Sequence, residues 1–130
     1  METPEFTPGL SARVELTVTE ADTAQYLGSG DVPVLATPRV LALAEAATVA
    51  ATARQMPGGL TTVGVRAEMD HRVATPIGRR VHAVATLAKV DGRKLLFEVM
   101  VRDVETVVAE VRVERMVLDR QRFIAKALGD

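Results

Sequence analysis

A chain of 130 residues with 48% apolar and 25% charged side chains can bury a core and is not a disordered composition. Its formal net charge of -1 argues against a nucleic-acid or membrane partner, which would call for a basic face. The absence of cysteine excludes disulfides, thiolate metal sites and cysteine nucleophiles, and two histidines leave little material for zinc, so no cofactor is expected. No segment resembles a signal peptide or a membrane span, which points to a single cytoplasmic domain over residues 1–130. Aromatic residues make up only 3%, so valine, alanine and leucine must fill a thin core that a second subunit would thicken.

The first element is "SARVELTVTE", Ser11–Glu20, where Ala12, Val14, Leu16 and Val18 alternate with polar residues as in a half-buried strand. Residues 21–36 contain "LGSGDVP" and read as a loop with a short helical turn. A long helix is predicted from Thr37 to Gln55, with Thr37 as N-cap, Pro38 in the first turn and "MPGG" ending it. Four strands follow. In "TTVGVRAEMDHRV", Thr61–Val73, strict alternation puts Val63, Val65, Ala67, Met69, His71 and Val73 on one face and Gly64 on the other. "RRVHAVATLAKV" (79–90) and "KLLFEVMVRD" (94–103) flank "DGR", a hairpin signal. "TVVAEVRVERMVLD" (106–119) is the last strand, and "RQRFIAKAL" reads as a short amphipathic helix or tail. One apolar helix among five antiparallel strands makes the class α+β, with the helix on one face of the sheet. The layout resembles a hotdog fold, which implies edge-to-edge pairing of two copies, and Thr61–Val73 is a suitable edge.

Within the long helix, Glu45 is the one charge between Arg39 and Arg54. At 100° per residue it shares a stripe with Thr37, Leu41, Thr48 and Thr52. A carboxylate desolvated in such a place must be paired, hydrogen-bonded or shifted in pKa, and each suits work on an acyl group. His71 stands on the apolar face of its strand, where alternation predicts a hydrophobe. His82 has no such companion and no role is assigned to it. Thr37, at a helix N-terminus, sits where backbone N–H groups favour developing negative charge. Thr37 and Glu45 are separated by about 12 Å of helical rise, too far to bond directly. An imidazole between them, one nitrogen toward each, would join Thr37, His71 and Glu45 at one cleft.

These residues resemble those of the hotdog-fold thioesterases related to the fluoroacetyl-CoA-specific thioesterase. The shared pattern is Ala36-Thr37 opening the helix, Glu45 eight residues after the threonine, and Gly64 seven residues before His71. It continues through "ATPIG" (74–78), "VDGRKL" (90–95), "VERMV" (113–117) and "RFIAKA" (122–127). The resemblance implies a homodimeric acyl-CoA thioesterase with Thr37, Glu45 and His71 as catalytic triad. Gly64 would lie beside the acyl group. The aromatic lid of the fluoroacetyl enzyme has no counterpart in "GSGDVPVLA", so fluoroacetyl selectivity does not follow. The expected activity is hydrolysis of a small or medium acyl-CoA. The alternatives are a non-catalytic acyl-CoA-binding protein and an acyl-thioester hydratase or dehydratase. Arg39, Arg66, Arg72, Arg79 and Arg80 are candidates for meeting the CoA moiety.

Overall fold

The structure, a computed structural model, describes residues 5–129. Five strands form one antiparallel sheet in the order β1-β3-β4-β5-β2: β1 is Ser11–Thr17, β2 Leu60–His71, β3 Arg80–Asp91, β4 Lys94–Asp103 and β5 Thr106–Asp119. Between β1 and the long helix lie a 3-10 turn, Glu20–Asp22, and the short helix α1, Ala24–Leu27. The long helix α2 runs Thr37–Thr52 and continues as a 3-10 turn to Gln55; α3, Arg120–Ala127, closes the chain. The tail read as helix or coil is thus a helix, capped by the Asp119 carboxylate accepting from the Arg122 N–H at 3.0 Å.

Alternation explains which face of the sheet is covered. Val81, Ala83, Ala85 and Leu87 of β3 and Leu95, Phe97, Val99 and Val101 of β4 are all buried. α2 lies on that face, burying Val40, Leu43, Ala44, Ala47 and Ala51. These small side chains let helix and sheet approach closely. The helix is not wrapped on all sides: Ala42, Ala46, Val49 and Ala50 face outward. The polar stripe expected along α2 divides for the same reason. Thr48 and Thr52 turn into the sheet and are buried, and the Thr48 hydroxyl donates to the Glu45 backbone carbonyl at 2.6 Å. Glu45 sits at the margin, its side chain 39% exposed, and is not desolvated within the core of this chain.

Two local departures from the sequence reading shape the site. First, Ala36 is the N-cap residue, with φ −74° and ψ 143°, and Thr37 is already helical. A Thr37 hydroxyl that caps nothing is available for another partner. Second, β2 carries a β-bulge: Gly64 opposes Arg115 on β5 while Arg66 opposes Glu114, leaving Val65 unpaired and 52% exposed. The extra residue reverses the parity of the strand. Strict alternation put Gly64 opposite in face to His71; instead Gly64, Ala67, Met69 and His71 all lie opposite the inward residues Arg115, Val113, Val111 and Ala109. β2 is also an edge strand, so one side of its backbone has no neighbour in the sheet.

Candidate active site

The N-terminus of α2 is held by its neighbours. The Ala36 N–H donates to the Asp22 carbonyl at 2.9 Å and the Leu35 N–H to the Thr75 carbonyl at 2.8 Å. Arg39 Nε donates to the Asp22 carboxylate at 2.9 Å, and Asp22 also accepts from the Thr19 N–H and hydroxyl. A cation in the first turn opposes the helix dipole, and the nearly buried Asp22 supplies the compensating negative charge. Pro38 has no N–H, and those of Arg39 and Val40 both return to the Ala36 carbonyl. The Thr37 N–H is taken by no backbone carbonyl among the described residues, which leaves it as a donor beside the Thr37 hydroxyl.

That hydroxyl meets His71. Thr37 Oγ1 and His71 Nδ1 are 2.8 Å apart; which of them donates follows the imidazole tautomer. His71 Nε2 is buried and has no hydrogen-bond partner among the described residues. Burial pushes the imidazole below its ordinary value of 6.5, against an opposing pull from the Val73 backbone. The folded chain therefore favours the neutral ring, the form that can accept a proton. The sign for stability follows from linkage. The unfolded chain binds the proton more readily, so the neutral-ring contribution is intact above pH 6.5 and lost as pH falls from there through the depressed folded value. The kcat/KM profile is expected to hold level as pH falls to 6.5 and to decline only below it; a decline toward acid that already sets in above that pH would contradict the neutral imidazole.

Glu45 is elsewhere in the same chain. Its carboxylate accepts from Arg115 Nη1 at 3.2 Å and has no hydrogen bond to His71. The expected imidazole bridge is therefore half present within one chain: Thr37 and His71 are joined, Glu45 is not. Arg115 was missed in the sequence reading. It occupies an inward position of β5 between Val113 and Val117 and is buried, with Nε donating to the Thr62 hydroxyl at 2.9 Å and Nη2 to the Thr62 carbonyl at 3.1 Å. Burial lowers its pKa, with Glu45 opposing, and the neighbouring carboxylate compensates the buried charge.

Gly64 explains how the carboxylate fits. A Cβ at residue 64 would stand 2.5 Å from Glu45 Oε2 and 3.4 Å from Arg115 Nη1. Only hydrogen at that position lets the carboxylate lie against the strand. Gly64→Ala is expected to fold, because the end of a flexible side chain can swing away, but to displace the carboxylate. Activity should fall at least tenfold with little change in melting temperature, the pair of measurements that checks it.

A cleft of about 300 Å³ lies beside Thr37 and His71, walled by Ala24, Val32, Val34, Ala36, Val73 and Ala74 among others. A larger hollow of about 840 Å³ lies among charged side chains on the sheet's outer face, lined in part by Glu98, Arg102 and Arg112, away from this chemistry. Of the arginines considered for CoA, Arg39 pairs with Asp22, Arg66 with Glu68, Arg72 with Glu110 and Arg79 with Asp103. Arg80 has no ion pair among the described residues.

One long helix on a five-stranded antiparallel sheet is the architecture of the hotdog fold. The solved structure of the fluoroacetyl-CoA thioesterase FlK matches with a TM-score of 0.89 at 27% identity, over 97% of this chain and 98% of that one. A variant of FlK in complex with acetyl-CoA matches with a TM-score of 0.90 at 26% identity, over 95% and 98%. A thioesterase superfamily member from Thermus thermophilus matches with a TM-score of 0.85 at 25% identity, over 92% and 88%. No curated protein matches the sequence. The profile of the fluoroacetyl-CoA-specific thioesterase family covers residues 18–121, and the chain belongs to that family. It is a thioester hydrolase of the acyl-CoA class.

Proposed function

We propose that this protein is a homodimeric thioesterase for small to medium acyl-CoA substrates, and that each site is built from two protomers. Thr37 and His71 come from one, Glu45 and Gly64 from the other. The observation that carries this reading is the His71 imidazole, bonded to Thr37 through Nδ1 while its buried Nε2 finds no partner among the described residues. Glu45, the carboxylate that would suit Nε2, lies against Gly64 on an edge strand. Pairing that edge with a second copy brings one protomer's His71 toward the other's Glu45.

In such a site the thioester carbonyl lies near the α2 N-terminus, where the free Thr37 N–H and the helix dipole steady the oxyanion. Glu45 acts on the carbonyl carbon in one of two ways. As nucleophile it forms an anhydride that water then hydrolyses; as general base it takes a proton from the attacking water. Either route breaks the carbon–sulfur bond, and the proton that the attacking water gives up passes by way of the neutral His71 imidazole, which accepts it and hands it on to the CoA thiolate. Oxygen-labelled water under single turnover separates the routes, because an anhydride leaves label in the enzyme. The acyl group occupies the small-walled cleft, over which residues 28–36 place no aromatic side chain.

Release of free thiol from a panel of acyl-CoAs tests the activity. Saturable release on small or medium chains is the expected result. Saturable binding without release would replace it with the acyl-CoA-binding alternative, and a double-bond absorbance change without free CoA with the hydratase.

A further inference from the structure

The cations that have no ion pair among the described residues gather at one end of the sheet; only Arg80 and Arg102 lie elsewhere. Lys89, Arg93 and Lys94 border the β3–β4 hairpin, where the Arg93 carbonyl accepts from the Val117 N–H of β5 at 2.8 Å. α3 leaves the same end of β5 with Arg120, Arg122 and Lys126, and the Arg120 N–H donates to the Gly59 carbonyl, just before β2, at 2.9 Å. Arg54 lies in the turn that closes α2, ahead of that glycine. All but Lys94 are exposed, and the carboxylates beside them are Asp91 and Asp119, the second already capping α3. A chain of net charge -1 thus has one strongly basic end. Resting on the reading above, we infer that this end seats the phosphates of the CoA nucleotide while the acyl group lies at Thr37 and His71 of the other protomer.

Distance along β2 decides which site this end serves. Gly64, placed above in one site with Glu45, is separated from Leu60 at the basic end by about 13 Å of strand. The pantetheine arm of CoA runs about thirteen bonds from sulfur to the first phosphorus, a reach of about 15 Å when extended. An arm laid along β2 from Gly64 therefore brings its phosphates to Leu60 and to α3 beside it. His71 of the same chain stands at the far end of β2, about 36 Å from Leu60 and beyond that reach. The basic end thus serves the site to which its own chain gives Glu45, and each substrate is held by both protomers.

Charge disfavours the other end of the sheet. Around the N-terminus of α2, Arg39, Arg72 and Arg79 are already bound to Asp22, Glu110 and Asp103, and Glu20 and Asp31 add further negative charge. The CoA nucleotide carries a diphosphate and a third phosphate on its ribose, and such a cluster is attracted to unpaired cations and repelled by carboxylates. α3 adds a second chemical match. None of its residues is buried, so Phe123, 41% exposed between Arg122 and Ile124, fills no core. An aromatic face among cations suits a stacked adenine.

Arg120→Gln, Arg122→Gln and Lys126→Gln are combined in one variant, because single exposed charges contribute little. With no buried residue in α3, this triple variant should keep the wild-type melting temperature. Its KM for an acyl-CoA should rise at least tenfold with kcat within twofold. The same acyl group on pantetheine, which lacks the phosphates, should be cleaved by variant and wild type alike. Phe123→Ala should raise KM for the acyl-CoA alone by about fivefold. An acyl-CoA KM unmoved by the triple variant would overturn the assignment, and it is the result that a basic end serving an acidic protein or an anionic membrane would give. An equal loss on acyl-pantetheine, or a larger loss from Arg80→Gln with Arg102→Gln, would overturn it too. Adenosine 3′,5′-bisphosphate separates binding from catalysis. In calorimetry it should bind the wild-type protein and bind the triple variant at least tenfold more weakly; equal binding, or none to either, overturns the assignment. The expected binding by a chain that cleaves no thioester would overturn the proposed function and leave the nucleotide seat standing.

Discussion

Glu45→Gln and His71→Ala should each lower kcat for thioester hydrolysis by about 10²–10⁴, the range for loss of a positioned acid or base. Both variants should remain folded. Glutamine is isosteric with glutamate, its amide oxygen can still accept from Arg115, and its side chain keeps the space against Gly64. What it loses is the charge and basicity that either chemical route demands. Removing the imidazole leaves the Thr37 hydroxyl without its partner, yet this end of β2 is only half-buried and water can replace the bond. Unchanged circular dichroism and sedimentation beside the rate loss would separate a chemical role from a structural one. Near-normal turnover by both variants on every thioester the wild type cleaves would remove the triad. Thr37→Ala, losing only an orienting hydroxyl, should be milder than either.

Much of the fold could be read from alternation because burial on one face leaves a period of two. β4 and β5 fall where that period placed them, and Gly92 at φ 59° makes the Asp91–Arg93 turn that the hairpin signal predicts. What alternation cannot register is an inserted residue. Val65 continues the every-second-residue apolar row of Val63 and Ala67, so the bulge leaves no mark in the pattern, and the face of Gly64 was misread. Arg115 left a signal that went unused. In Val111, Val113, Arg115 and Val117 a guanidinium replaces a core hydrophobe just as His71 does, but Arg112 and Glu114 beside it made the strand look mixed. Glu45 was conspicuous for the opposite reason, standing alone among alanines and leucines. Its partner was hidden because the pairing spans 70 residues of sequence, a distance over which periodicity carries no information.

Two inactive variants mixed together should recover activity, and this result separates a shared site from a self-contained one. In a heterodimer of Glu45→Gln with His71→Ala, one composite site combines both lesions. The other combines the intact Glu45 of the second chain with the intact His71 and Thr37 of the first. After denaturation and joint refolding, random assortment makes about half the dimers heterodimers, each with one of its two isologous sites whole. Mixed material should then reach about a quarter of wild-type turnover per subunit, orders of magnitude above either parent. If each chain instead held its own triad, every subunit in every dimer would carry one lesion and refolding would restore nothing. The contrast depends on no assumption about which group attacks the carbonyl. It asks only whether the unpartnered nitrogen of His71 and the carboxylate of Glu45 serve each other across the edge of β2, the one arrangement in which both find the neighbour their own chain withholds.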